Sequence, residues 1–172
     1  MPTTLNFRTT LVADDVERIR AIVVAAQNFS SAEIEIAAEL PTERLARGDA
    51  SGYYFILADE PPARDSAAAT TALAGYACYG PIPGTVARYD VYWVVVGPST
   101  QRRGLGRELL LRTEAAIRAA GGERIYIDTS TSSGYDAARG FYRRMGYTVA
   151  AELSDFYQDG DGKVIFLKVL SP

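Results

Sequence analysis

The sequence contains no histidine at all. That absence removes the commonest general base, and with it every Ser-His-Asp or Cys-His nucleophilic mechanism. A single cysteine, Cys78, cannot form an internal disulfide, and without histidine it cannot by itself supply a zinc site. Charge of one sign is missing too. The 18 basic and 21 acidic residues are scattered to a net charge of −3, so no basic stripe awaits a phosphate backbone and nucleic acid is not an expected partner. No apolar run approaches the roughly 20 residues of a membrane-spanning helix, and Met1 to Thr10 has neither the basic nor the apolar region of a secretory signal. The expectation is a cytoplasmic, metal-free protein whose proton chemistry falls to carboxylates, tyrosines, lysine, cysteine or water.

What is present suits a packed fold. Hydrophobic residues at 48% and charged residues at 23% match an ordinary globular chain. A length of 172 residues fits one domain, 1–172, with one core.

Leu5 to Val12 alternates in the period of a strand, and Asp14 offers an N-cap to a helix carrying Val16, Ile19, Ile22 and Val23. A second helix opens at Ser30 or Ser31, is expected to break or kink at Pro41, and stops near Gly48. Tyr53 to Ala58 and Leu73 to Tyr79 read as strands around a long mobile hairpin loop, Glu60 to Thr71. Val91 to Val96 reads as a strand buried on both faces in the middle of the sheet. A helix with Leu105, Leu109, Leu110, Ala116 and Ile117 on one face follows, ending at Gly121-Gly122. Arg124 to Thr129 is a strand, about Asp136 to Met145 a helix, and Thr148 to Tyr157 and Lys163 to Leu170 a hairpin turning at Asp159 to Gly162. The order is β α α β β β α β α β β, a mixed α/β sheet.

The chemically informative stretch runs from Val94-Val95-Val96 through Gly97-Pro98-Ser99-Thr100 to Gln101-Arg102-Arg103-Gly104-Leu105-Gly106-Arg107. A buried strand passes through a turn of successive backbone N–H groups into a helix N-terminus, which makes an anion cradle. Gly104 and Gly106 put no Cβ in the way of a diphosphate, and Arg102, Arg103 and Arg107 add cations. No Lys-Ser/Thr follows as in a P-loop, and no third glycine follows as in a dinucleotide-binding turn. A glycine turn that merely caps a helix remains the plain alternative.

Gln101-Arg102-Arg103-Gly104-Leu105-Gly106 resembles the Q/R-x-x-G-x-G/A motif of the GNAT family of N-acetyltransferases. Ala138-Arg139-Gly140-Phe141-Tyr142-Arg143-Arg144-Met145-Gly146-Tyr147 resembles that family's A-x-x-F-Y-x-x-x-G-F/Y pattern, at its usual distance downstream. One departure is Tyr135, where many members carry asparagine seven residues before the tyrosine. The resemblance implies an acyl-CoA N-acyltransferase fold with a splayed central sheet and acetyl-CoA as donor. It implies backbone contacts to the pantetheine arm from Val94, Val95 and Val96, and amides from Arg102 to Arg107 on the pyrophosphate. Gln101 would hold the turn, and Tyr142 would sit near the coenzyme A sulfur and protonate the leaving thiolate. A small-molecule amine is the implied acceptor and a homodimer is common in the family.

A phenol of ordinary pKa about 10 is protonated at neutral pH and can act as that acid. Tyr142 as a packing residue is the alternative. Asp90 is the carboxylate candidate for general base, at the start of the central strand where histone-type members place a glutamate, with Tyr92 on its face. A solvated strand-end aspartate is the alternative. Glu33 or Glu35 could guide a cationic acceptor. Tyr53, Tyr54, Tyr79, Tyr89, Trp93 and Tyr157 are the aromatic candidates for the acceptor pocket, and Cys78 is expected to pack. A non-catalytic acetyl-CoA sensor, or transfer to a protein lysine or N-terminus, are the competing functions.

Overall fold

The computed structural model describes residues 5–61 and 71–170. Its elements are β1 (Asn6–Arg8), α1 (Asp15–Ala25), α2 (Ser31–Arg47), β2 (Tyr54–Asp59), β3 (Leu73–Pro81), β4 (Arg88–Val96), α3 (Leu105–Ala119), β5 (Arg124–Ser130), α4 (Asp136–Arg144), β6 (Thr148–Gln158) and β7 (Asp161–Val169). This is the order the sequence predicts. Seven strands are hydrogen-bonded in the order β1-β2-β3-β4-β5-β7-β6. β4 and β5 pair in parallel, which requires a crossover connection, and α3 supplies it.

The chain forms two compact units, residues 1–80 with 93–113, and residues 81–92 with 114–172. The boundary falls inside β4, between Tyr92 and Trp93, and inside α3, between Thr113 and Glu114.

In the first unit, β1, β2 and β3 form an antiparallel meander. Ile19, Ile22 and Val23 of α1 and Ala37 of α2 bury against Phe55, Leu57, Tyr76, Cys78 and Val95. Cys78 packs there as expected, and burial pushes its thiol up. β1 is only three residues long. Thr9 to Val12, predicted to continue it, are instead irregular, and a turn over Val12 to Asp15 follows, closed by the Asp15 amide on the Val12 carbonyl (2.9 Å). Asp14 stands at the N-cap but its side chain accepts no capping hydrogen bond. Asp15, the first helical residue, instead reaches back, and its carboxylate accepts from the Val12 amide at 2.8 Å.

Asp15 is also the centre of a buried ion cluster. Arg8 donates to it twice (2.7 and 2.6 Å) and Arg18 once (2.8 Å). The same two arginines reach Asp59 of β2 at 2.6 and 2.5 Å. One knot of four charges therefore ties β1, α1 and β2 together.

α2 runs unbroken through Pro41, so of the expected break or kink the break does not occur. Ser30 and Glu33 close a complete capping box. Pro41 is fully buried beside Ala37 and Ala38, so burial of its ring offsets the one backbone hydrogen bond it cannot make. The loop expected over Glu60 to Thr71 falls largely on residues 62–70, outside the described residues.

In the second unit, β5, β7 and β6 pair antiparallel, and Asp159-Gly160 close β6 to β7 with Gly160 at φ 80°. Ile125, Ile127, Val164, Phe166, Tyr142 and Tyr147 are buried. β4 is the fourth strand of seven, as predicted, but it is not buried on both faces: Val91 and Val95 are buried while Tyr92 is 37% exposed. The continuous apolar run conceals an alternation because tyrosine tolerates water at its hydroxyl end.

Candidate active site

The cradle is built in the first unit. Gly75 on β3 lets the β4 backbone and the start of α3 come close, since a Cβ there would lie 2.8 Å from the Val95 carbonyl oxygen and 3.1 Å from Leu105 and Leu109. The turn after β4 is then fastened to β3. The Gly97 amide donates to the Ala74 carbonyl at 2.8 Å, and the buried Thr100 hydroxyl donates to the same oxygen at 2.9 Å. Thr100 is a residue the sequence reading missed. Gln101, expected to hold the turn, contributes its amide to the Gly97 carbonyl (3.1 Å) while the residue itself is exposed.

Beyond Gln101 the backbone opens. Arg102 at φ 62° and Gly104 at φ 81° take left-handed conformations, which turn successive N–H groups to one side. The first amide to find a backbone acceptor again is Glu108, on Gly104 at 3.0 Å. Among the described residues, the amides of Arg102 through Arg107 have no backbone acceptor. A helix start normally leaves such orphan donors. Here they extend back through the turn. A Cβ on Gly104 would meet nothing within 4 Å, so the space beside Gly104 is open. Arg102, Arg103 and Arg107 are exposed around it. Leu105 is buried and anchors the helix, Gly106 is half-buried, and of the preceding strand Val95 is buried while Val94 and Val96 are half-buried. Donors, open volume and cations fit a diphosphate.

Tyr142 and Asp90 lie in the second unit. Tyr142 is 8% exposed on α4, with its ring 5.8 Å from Phe166 and 6.0 Å from Tyr147. Burial pushes its phenol up to about 12, so it stays protonated across the physiological range. Asp90 pairs with Tyr126 of β5 and is half-buried. Burial, then the negative charge of Asp128, push its carboxyl up to about 6, while Lys163 opposes them. Lys163 donates to Asp128 at 2.8 Å and lies 4.1 Å over the Phe156 ring. Asp128 and Lys163 carry no local sequence signal, being 35 residues apart.

Around Tyr142 stands another group the sequence does not announce. Glu114, 4% exposed on α3, accepts from the Tyr147 hydroxyl (3.0 Å) and from the Lys168 ammonium (2.9 and 2.8 Å). Arg139 bonds the Ser130 carbonyl, the Ser132 carbonyl (3.0 Å) and Asp136, and so fixes the segment that carries Tyr135 into α4.

The aromatic candidates divide. Tyr54 and Tyr79 stack at 5.7 Å and, with Arg44 4.7 Å over the Tyr54 ring, line a cavity of about 430 Å³ with Thr9, Thr10, Leu11, Leu45 and Phe55. Trp93 packs on Phe29 (5.1 Å), and Tyr53 packs against the first unit's core. Tyr89 and Tyr157 belong to the second unit. Glu33 is committed to the capping box, and Glu35 pairs with Arg20. No group of three or more metal-ligating side chains occurs among the described residues, and none of their helices is long and apolar enough to cross a membrane.

A family model described as the acetyltransferase (GNAT) family matches residues 20–147. The crystal structure of a Desulfovibrio desulfuricans protein assigned to that family is 36% identical, with 98% of this chain and 100% of that chain covered and a TM-score of 0.91. The Escherichia coli ribosomal-protein-S18-alanine N-acetyltransferase shares the fold at 18% identity, covering 98% and 96% with a TM-score of 0.72. An aminoglycoside 6'-N-acetyltransferase complexed with coenzyme A shares it at 14% identity, covering 97% and 98% with a TM-score of 0.70. Among curated proteins, none matches the chain significantly. With both motifs in their expected strand and helix settings, and a family match over more than half its length, the chain belongs to the GNAT family of acetyltransferases, enzymes that transfer acetyl from acetyl-CoA.

Proposed function

We propose that this enzyme acetylates a primary amine on a small molecule, such as a free amino acid or a polyamine, by direct attack on acetyl-CoA in a ternary complex, with residues 1–172 working as one acetyltransferase domain. The observation that carries the donor half is the run of amides from Arg102 to Arg107 which, among the described residues, make no backbone hydrogen bond of good geometry, beside open space at Gly104. Those amides, with Arg102, Arg103 and Arg107, would grip the diphosphate, and the backbone of Val94, Val95 and Val96 would align the pantetheine arm. The thioester supplies the activated acetyl carbon.

The remaining steps need one base and one acid, and the chain lacks histidine for either. Asp90, titrating near 6, is ionised at neutral pH yet poised to accept the ammonium proton of the acceptor. Tyr142, buried and protonated, would donate its hydroxyl proton to the departing thiolate. Fixed amides beside the carbonyl would stabilise developing charge, and orientation would do much of the rest. Small acceptors suit a cavity of about 430 Å³ with Tyr54 and Tyr79 in its wall better than a peptide does. The test is coenzyme A thiol release across a panel of amino acids, polyamines, aminoglycosides and lysine peptides. Turnover confined to peptides would overturn the small-molecule reading.

A further inference from the structure

Tyr142 lacks a hydrogen-bond partner for its hydroxyl among the described residues, so nothing polar aims it. Its direction is set from behind, by packing. The Tyr142 carbonyl accepts from the Tyr147 amide (3.0 Å), and the Tyr147 ring meets the Tyr142 ring edge-on. Tyr147 is itself pinned at its far end, where its hydroxyl donates to Glu114.

Glu114 is a buried carboxylate, which is costly unless every lone pair is engaged and its charge is matched. Lys168 matches it. The ammonium places two of its donors on the two Glu114 oxygens and a third on the Met145 carbonyl (2.9 Å), directly after α4. Lys168 has no donor left over. Its stem passes Gly146, where a Cβ would sit 3.9 Å from Lys168 Cε. One closed set of bonds thus joins α3, the end of α4, the residue after it and β7, and Tyr142 stands on top of it. With no polar partner on that hydroxyl among the described residues, packing has to fix χ1 of Tyr142 and the end of α4, because a change in either would carry the hydroxyl away from a reacting atom.

We infer that Glu114, Lys168 and Tyr147 form a positioning relay for the acid: they hold the Tyr142 hydroxyl at the departing sulfur without touching substrate. This rests on the reading of Tyr142 as the acid. The relay was not legible in the sequence, since its members lie 33 and 54 residues apart.

The discriminating experiment is a double-mutant cycle with Tyr147→Phe and Tyr142→Phe, measuring kcat, KM for acetyl-CoA and thermal midpoint for all four proteins. Tyr147→Phe removes one oxygen and keeps the ring. It is expected to lower kcat about tenfold with KM for acetyl-CoA unchanged, and to have no further effect in the Tyr142→Phe background, because it acts through that hydroxyl. Equal losses of kcat in both backgrounds, or no loss in either, would overturn the relay. If Tyr142→Phe alone retains full kcat, the acid assignment fails first and the relay with it, an outcome distinct from equal losses. Lys168→Arg keeps a cation and is expected to retain more kcat than Lys168→Met. Should Lys168→Met not fold, the Tyr147 cycle still decides.

Discussion

Two aspartates in this chain, each withdrawn from water, have opposite fates. At Asp15 burial pushes the carboxyl up, but the Arg8 hydrogen bond, the Val12 amide and the charges of Arg8 and Arg18 outweigh it and hold the group below the ordinary carboxylate range. At Asp90 burial is joined by the charge of Asp128, and only Lys163, already bonded to Asp128, pulls the other way. The lesson is that burial alone assigns no role. The count of fixed donors decides whether a carboxylate is locked as an anion for stability or left able to exchange a proton for chemistry.

That contrast can be broken at either end. The largest effect is expected from Asp15→Ala, which leaves Arg8 and Arg18 facing a lost partner in a buried corner. It should cost about 3–5 kcal/mol in urea unfolding. The wild-type protein supplies the pH version of the same test. The folded-state values of Asp15 and Asp59 are depressed. Their stabilisation is therefore complete above the unfolded value near 4 and is lost as pH falls through the lower folded values. Asp15→Ala should flatten that acid loss.

Asp90→Asn should leave stability nearly intact and lower kcat by about 10²-fold or more, the usual contribution of a general base. As the proposed base, Asp90 has to be ionised to act, so kcat/KM of the wild type should rise with pH and level off above an inflection near 6. That limb should vanish in the variant. A limb unchanged in Asp90→Asn would return Asp90 to the status of a half-buried strand residue.

A smaller effect is expected at the cradle. Gly104→Ala meets no neighbouring atom, so its cost is the left-handed backbone alone, roughly 1–2 kcal/mol. It should weaken coenzyme A binding severalfold while leaving kcat at saturation close to wild type. Titration of the folded variant separates the two readouts.

How much of this was readable in the sequence follows from the range of the interactions involved. The element order, the Ser30 cap, the helix face of Leu105 to Ile117 and the turn that leads from β4 into α3 are local patterns, and these survive into the structure. Asp14 takes the N-cap position as read but makes no side-chain capping bond, while the ion cluster on Asp15 is set by tertiary contacts that no local pattern shows. At Pro41 the helix does not break, because burial beside two alanines offsets a local penalty. The tyrosine in Val91 to Val96 hid an exposed position inside an apolar run. Thr100 could have been flagged as a turn hydroxyl after Gly97, but its acceptor, the Ala74 carbonyl, lies 26 residues away. The Glu114 group is longer in range still, and only the fold assembles it.

The central claim is that the backbone between Arg102 and Arg107 grips a diphosphate, and isothermal titration tests it most directly. Coenzyme A should bind with measurable heat, and pantetheine, which keeps the arm and lacks the diphosphate, should lose most of that affinity. Equal affinity for the two, or no heat from coenzyme A with folded protein, would contradict the account.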